Sequence, residues 1–194
     1  MKGRFIVLEG PDGSGTTLHS RLLAERLQKE GVPVLVTAEP TDGPIGRFIR
    51  MLLKGEERVP SSALQLLFTA DRAWHVENVI RPALAEGKTV ISDRYAPSTI
   101  AYGMALGLDQ DWLKNLNKEF IQPDREIFAL PPLAVCLERL GRREERDILE
   151  QENLQEKIHA AYAALAKEDR SIAVIDTSGA KEDVAEQILS AVRR

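Results

Sequence analysis

The chain has 194 residues, 43% of them hydrophobic, enough for one domain with a sizeable core. A formal net charge of −4 argues against a general nucleic-acid binder, which needs a positive field, so any phosphate chemistry must rest on local arginines and lysines. Cys136 is the only cysteine, which leaves no internal disulfide, and no apolar run approaches the roughly 18 residues of a membrane span; together these point to a soluble, cytoplasmic protein.

In chain order, a short apolar run at Phe5 to Leu8 predicts a first strand, and the stretch behind it places Leu18, Leu22, Leu23 and Leu27 on one helical face. Val32 to Val36 predicts a second strand. A long helix is expected over Ser62 to Glu86, followed by a strand at Thr89 to Ser92 and another at Ile127 to Leu130. The segment Arg139 to Glu152 is dense in charge, which by itself reads as a solvated helix end. A second long helix is expected at Ile148 to Lys167, a fifth strand at Ile172 to Ile175, and a closing helix with Val184, Ile188, Leu189 and Val192 on one face. The strands lack alternating polarity, as strands buried on both faces of a parallel sheet do. Strands alternating with helices imply right-handed crossovers, so the fold predicted is α/β: a doubly wound, parallel, five-stranded sheet flanked by helices, in one domain over residues 1–194.

The strongest local signal is Gly10-Pro11-Asp12-Gly13-Ser14-Gly15-Thr16-Thr17, directly after a buried strand and before an amphipathic helix. That is the setting of the phosphate-loop motif G-x-x-x-x-G-K-[ST], in which backbone N–H groups and a helix N-terminus hold a polyphosphate. Thr17 is placed to bring a hydroxyl to Mg²⁺. Position 16, however, is Thr where the motif has lysine, and losing that charge costs roughly 2–4 kcal/mol of transition-state stabilisation. The bland alternative is an ordinary Gly-rich strand-to-helix turn.

Four further segments carry chemistry: Thr37-Ala38-Glu39-Pro40, Phe68-Thr69-Ala70-Asp71-Arg72, Ser92-Asp93-Arg94 running on to Ser98, Thr99 and Tyr102, and Ile175-Asp176-Thr177-Ser178-Gly179. Three of them fall just past strand C-termini, the edge where open α/β sheets bind ligands. Over nearly its whole length the sequence resembles the thymidylate kinases, phosphate-loop nucleoside-monophosphate kinases. The resemblance is carried by LEGPDGSG at the start, EPTDGPIG, IDTSG, and above all residues 68 to 102.

The resemblance implies transfer of the γ-phosphoryl group of ATP to dTMP, giving dTDP and ADP, with Mg²⁺. It implies ATP on the loop from Gly10 to Thr17, with Pro11, Asp12, Gly13, Ser14, Gly15 and Thr16 contributing. Phe68 would stack on thymine, and Arg72 would hydrogen-bond a base carbonyl. Arg94 would grip the acceptor phosphate, Asp93 would help place the metal, and Asp12 and Tyr102 would line the deoxyribose. Ser98 and Thr99 would sit near the base, and Glu39 would order the substrate loop or the metal's water shell. Bland alternatives stay open: core packing for Phe68, Tyr102 and Tyr162, a surface ion pair of Arg72 with Asp71, a sheet-edge salt bridge for Asp93 and Arg94, and a helix cap for Ser98. With Gly at position 13, the chain resembles members that supply arginines from a mobile lid, which turns the charged segment 139–152 into that lid. Arg142, Arg143 and Arg146 then become candidate transition-state cations and candidate substitutes for the missing lysine. Relatives form homodimers through long helices.

Four positions depart from the family pattern: Thr16, Ala38 before Glu39, Gly103 after Tyr102, and Ala129-Leu130 at the end of the fourth strand. A different monophosphate acceptor, such as dUMP or dGMP, stays open, and Thr16 alone keeps open a nucleotide-binding protein with impaired catalysis. Asn117-Lys118-Glu119-Phe120 matches a guanine-reading N-K-x-D only in its first half.

Overall fold

A computed structural model describes residues 3–142 and 147–193. Its centre is a five-stranded parallel sheet in the order β2-β3-β1-β4-β5. The strands are β1 (Arg4–Glu9), β2 (Val34–Ala38), β3 (Thr89–Asp93), β4 (Arg125–Ala129) and β5 (Ala173–Ile175). β1 lies between β3 and β4, pairing Ile6 with Ile91 and Leu8 with Ile127. All five residues of β3 are buried, as the lack of alternating polarity predicts for an inner strand covered on both faces.

Helices cover the two faces: α1 (Thr16–Lys29), α2 (Pro44–Leu53), α3 (Ser61–His75), α4 (Arg81–Ala85), α5 (Ala96–Ala105), α6 (Gln110–Asn117), α7 (Leu133–Gly141), α8 (Glu152–Glu168) and α9 (Lys181–Arg193). On one side Ile6, Leu8, Leu23 and Leu27 pack with Val184, Ile188 and Leu189 of α9. On the other, Phe5, Val7 and Val90 meet Val76, Ile80 and Tyr95, and a third cluster joins Tyr102 of α5 to Phe128 and Tyr162.

The fold class is the one expected, and three local expectations need correction. The buried face of α1 is Thr16, His19, Ser20, Leu23, Ala24 and Leu27, whereas Leu18 is 47% exposed. The N-terminal half of this helix abuts the phosphate loop, so its inward side chains are small and polar and a leucine count misses them. The expected helix over Ser62 to Glu86 is three segments, since a π-helical stretch, Val76–Ile80, separates α3 from α4. Pro82 has no N–H to offer residue 78, and a π turn next to that gap redistributes the hydrogen bonds. α8 begins at Glu152, later than the expected Ile148. Ile148 N instead donates to Leu53 O at 3.0 Å, and the Asp147 carboxylate accepts from Leu149 N at 2.7 Å, which folds Leu149 inward.

Candidate functional site at the carboxyl edge of the sheet

β1 and β3, the two innermost strands on this side, deliver their last residues to one edge. The phosphate loop leaves β1 at Gly10 and turns at once, with Ser14 N donating to Pro11 O at 3.1 Å. Gly13 and Gly15 have φ of 78° and 92°, a region that side chains disfavour. A Cβ on Gly13 would stand 2.5 Å from the carbonyl oxygen of Cys136 in α7, so that position admits only glycine. Gly15 is the N-cap of α1 and brings no side chain, which leaves the first N–H groups of the helix free to face an anion.

Two arginines lace this loop from outside. Arg94 Nη1 donates to Gly10 O at 2.8 Å, and its Nη2 pairs with Asp12 Oδ1 at 2.6 Å. Arg139 of α7 donates to Gly13 O at 3.1 Å and to Thr177 O at 2.7 Å. Arg94 is the one non-glycine residue with positive φ, 72°, among the described residues, a conformation that costs on the order of 1 kcal/mol or more and clusters at functional sites. It is held there by Arg94 N donating to Leu8 O and by Ser92 Oγ donating to Arg94 O. Burial alone would weaken the Arg94 charge, but Tyr102, Asp12, Tyr162 and Asp93 around it outweigh that and hold it protonated. Asp12 is shared: its other oxygen accepts from Tyr102 Oη at 2.7 Å and from Gln155 Nε2 at 3.0 Å.

The end of β3 supplies the candidate metal position. Thr17 Oγ1 donates to Asp93 Oδ2, while Asp93 Oδ1 is buried with no hydrogen-bond partner among the described residues. A hydroxyl beside a carboxylate with an unclaimed oxygen is the donor set that Mg²⁺ takes from a protein when phosphates and waters complete its shell. No cluster of three His, Cys, Asp or Glu side chains able to hold a metal occurs among the described residues.

Glu9, the last residue of β1, is fully buried and gathers three elements. Its carboxylate accepts from Tyr95 N at 2.6 Å, from Ser98 Oγ at 2.6 Å and from Tyr162 Oη at 2.8 Å. Ser98 therefore is not the cap of α5; it sits in the first turn, and Glu9 satisfies that turn from a neighbouring strand. Burial pushes the Glu9 acid up to about 7, against the lowering effect of Ser98 and Arg94. Tyr162 is both core, edge-on to Phe128 with ring centres 5.2 Å apart, and site, through Glu9 and Ser98.

A cavity of about 110 Å³ lies between α3 and α5. Asp12, Arg94, Ser98 and Tyr102 line it near the loop; Phe68, Arg72, Thr99 and Glu39 line it further away. Arg72 is buried and does not pair with Asp71. It donates to Glu39 Oε2 at 2.7 Å, Tyr95 O at 2.7 Å and Thr99 Oγ1 at 2.9 Å, and to Asn117 Oδ1. Glu39 also meets His75 Nδ1 at 3.0 Å, and Asp71 instead takes the backbone N–H and hydroxyl of Thr41. Asp147 and Leu149 close the cavity from the segment ahead of α8. Burial, with repulsion from Asp12, pushes the Asp147 acid up to about 6.

The structure thus brings Asp12, Glu39, Phe68, Arg72, Arg94, Ser98, Thr99 and Tyr102 around one cavity and sets Thr17 against Asp93 beside it. Arg142 stands apart, exposed and paired with Glu138 at 2.5 Å. Arg143 and Arg146 lie outside the described residues. Glu9, Arg139, Gln155 and Asn117 were not anticipated; the bonds Arg72–Asn117, Arg139–Gly13, Asp12–Gln155 and Glu9–Tyr162 span 45 to 153 residues of sequence, and no local pattern announces such pairs.

A Gly-rich loop between β1 and α1, an acid and an arginine at the end of β3, and a cavity beyond them define a protein of the phosphate-loop class. The family model for thymidylate kinase matches residues 8–188. A probable thymidylate kinase of Pyrococcus horikoshii is 40% identical over all of this chain and 97% of its own. The thymidylate kinase of Halothermothrix orenii is 36% identical over all of this chain and 98% of its own, and that of Synechococcus sp. (strain JA-3-3Ab) is 40% identical over 97% and 95%. The chain belongs to the thymidylate kinase family.

Proposed function

We propose that the chain transfers the γ-phosphoryl group of ATP to the 5′-phosphate of dTMP, releasing dTDP and ADP. The observation that carries this reading is the single cavity that joins an arginine-and-acid end at the phosphate loop to an aromatic-and-arginine end on α3. A nucleoside monophosphate has that same polarity, phosphate at one end and base at the other. The family match supports thymine as the base.

ATP lies along Gly10 to Thr17, its phosphates on the backbone N–H groups of Gly13, Ser14, Gly15 and Thr16, with Pro11 setting the turn. Thr17 and Asp93 would hold Mg²⁺, which would supply neutralisation of the phosphate charge. Arg94 binds the acceptor phosphate, and Asp12, fixed by Arg94, Tyr102 and Gln155, spaces it from the sugar. Tyr102 crowds the 2′ position. Phe68 stacks on the ring, Arg72 meets a base carbonyl, Ser98 and Thr99 complete the wall, and Glu39 fixes Arg72. An acceptor phosphate oxygen bonds to the γ-phosphorus as the bond to the β-bridging oxygen breaks. The acceptor is already an anion, so the protein need only position and neutralise.

The lid, residues 139–152, brings in Arg142, Arg143 or Arg146 on closure, and one of these takes over part of the role of the lysine absent at Thr16. The protein works in the cytoplasm as a homodimer without nucleic acid. Phe48 and Met51 on α2 and Leu66 on α3 are 40–48% exposed on helices that pack together, and these apolar side chains support a partner there. No described helix is long and apolar enough to cross a membrane. A coupled ADP-release assay with a panel of nucleoside monophosphates tests the reaction: dTMP is expected to be the preferred acceptor.

A further inference from the structure

Gln65 lies on α3 one turn ahead of Phe68 and two turns ahead of Arg72, and it lines the same cavity. It is 0% exposed, yet neither its Nε2 nor its Oε1 has a hydrogen-bond partner among the described residues. Arg72 Nε, on the same helix face, is likewise buried and unpartnered. A buried carboxamide without partners is unfavourable, because each group gives up its hydrogen bonds to water and gains none in return. An apolar side chain of the same length would remove that cost, so the packing around Gln65 gives no reason for a carboxamide there.

We infer that Gln65 is a base-reading residue whose carboxamide pairs with the heterocycle of the acceptor nucleotide. The inference rests on the proposed dTMP kinase reading. The imide edge of thymine presents carbonyl, N–H and carbonyl in sequence. A carboxamide supplies an acceptor for the N–H and a donor for one carbonyl side by side, and a guanidinium supplies a donor for the other. Gln65 alone is not selective, because a rotated carboxamide also matches cytosine. Selectivity comes from its pairing with Arg72, which can only donate and so has nothing to offer the amino group of cytosine. The cavity places the two side chains together, and Phe68 between them in sequence supplies the ring face.

Gln65→Met, with Gln65→Leu as a second variant, tests this in the full-length protein. Steady-state kinetics should show KM for dTMP raised about tenfold, with KM for ATP within about twofold of the starting protein. The melting temperature without nucleotide should hold or rise, and the upward shift produced by dTMP alone should shrink. A purely structural glutamine would give the opposite signature, a lower melting temperature with an unchanged dTMP shift, and that result overturns the inference, as does an unchanged KM for dTMP. If the unsubstituted protein itself fails to phosphorylate dTMP, the functional reading fails and takes this inference with it; turnover of dTMP with variants that behave like the parent defeats the inference alone.

Discussion

The phosphate loop and the acceptor cavity meet at Arg94, yet they are built by different means. The loop is made of backbone. Its shape is fixed by Gly13 and Gly15 at positive φ, its anion-holding groups are N–H donors, and its own sequence offers no cation because position 16 is Thr. The cavity is made of side chains already tied to one another before any ligand enters: Arg94 to Asp12, Asp12 to Tyr102 and Gln155, Arg72 to Glu39, Thr99 and Asn117. The charge that the G-x-x-x-x-G-K-[ST] motif places inside the loop is therefore missing from the loop itself. Arg94 and Arg139 are both bound to loop carbonyls and stand nearest to it.

The most damaging way to break this arrangement is to cut its shared member. Arg94→Ala removes the anchor of Asp12 and a clasp on Gly10 at once, together with the proposed cation for the acceptor phosphate. We expect kcat/KM for dTMP to fall about a thousandfold, measured by steady-state kinetics with saturating ATP. A loss of less than about tenfold would mean that another cation holds the acceptor.

A smaller effect should come from the lid. Alanine substitution of Arg142, Arg143 and Arg146 in turn should lower kcat by about 10–100-fold for at least one of them, with KM for dTMP little changed. The exposed pairing of Arg142 with Glu138 favours one of the other two as the larger contributor. Uniformly small losses would show that the loop works on Arg94, Arg139 and metal alone.

The mildest probe separates wiring from chemistry through pH. Glu9 is near 4.5 in an unfolded chain and about 7 in the fold, so the folded state prefers the protonated acid. That preference favours the fold fully below about pH 4.5 and is lost as pH rises through about 7. The span is on the order of 3 kcal/mol at about 1.4 kcal/mol per pH unit. Glu9→Gln keeps an oxygen for Tyr95 N and an N–H for the hydroxyls of Ser98 and Tyr162. Urea denaturation of that variant should show a flatter decline of stability between pH 4.5 and 7.5, with a residual slope from Asp147 and Glu126, whose acids are raised in the same direction by burial. An unchanged slope would place the titration elsewhere.

The same contrast governs what could be read from sequence. The sheet was legible, since five apolar runs with helices between them leave few arrangements, and the loop was legible because glycine spacing is a local signal. Most of the cavity was legible too, though through resemblance to a family; Phe68 and Arg72 share a helix, but nothing local says that Arg72 faces Thr99 and not Asp71. What stayed hidden was side-chain wiring between distant segments: Glu9 to Tyr162, Asp12 to Gln155, Arg72 to Asn117. Asn117 shows the limit well. Its N-K pair looks like half of a nucleotide-reading motif, and in the fold it serves to hold an arginine 45 residues earlier in the chain. The helix boundaries that moved did so for reasons outside the hydrophobic pattern: a proline at 82, and Leu149 drawn off α8 to close the cavity.

The account stands or falls on whether this loop, without its lysine, drives transfer to the nucleotide that the cavity suits. A coupled assay of ADP release with ATP, Mg²⁺ and dTMP, dUMP, dCMP or dGMP measures that directly. The account predicts turnover with dTMP at the highest kcat/KM of the four. No ADP release with any of them, or clear preference for dUMP, dCMP or dGMP over dTMP, would contradict it.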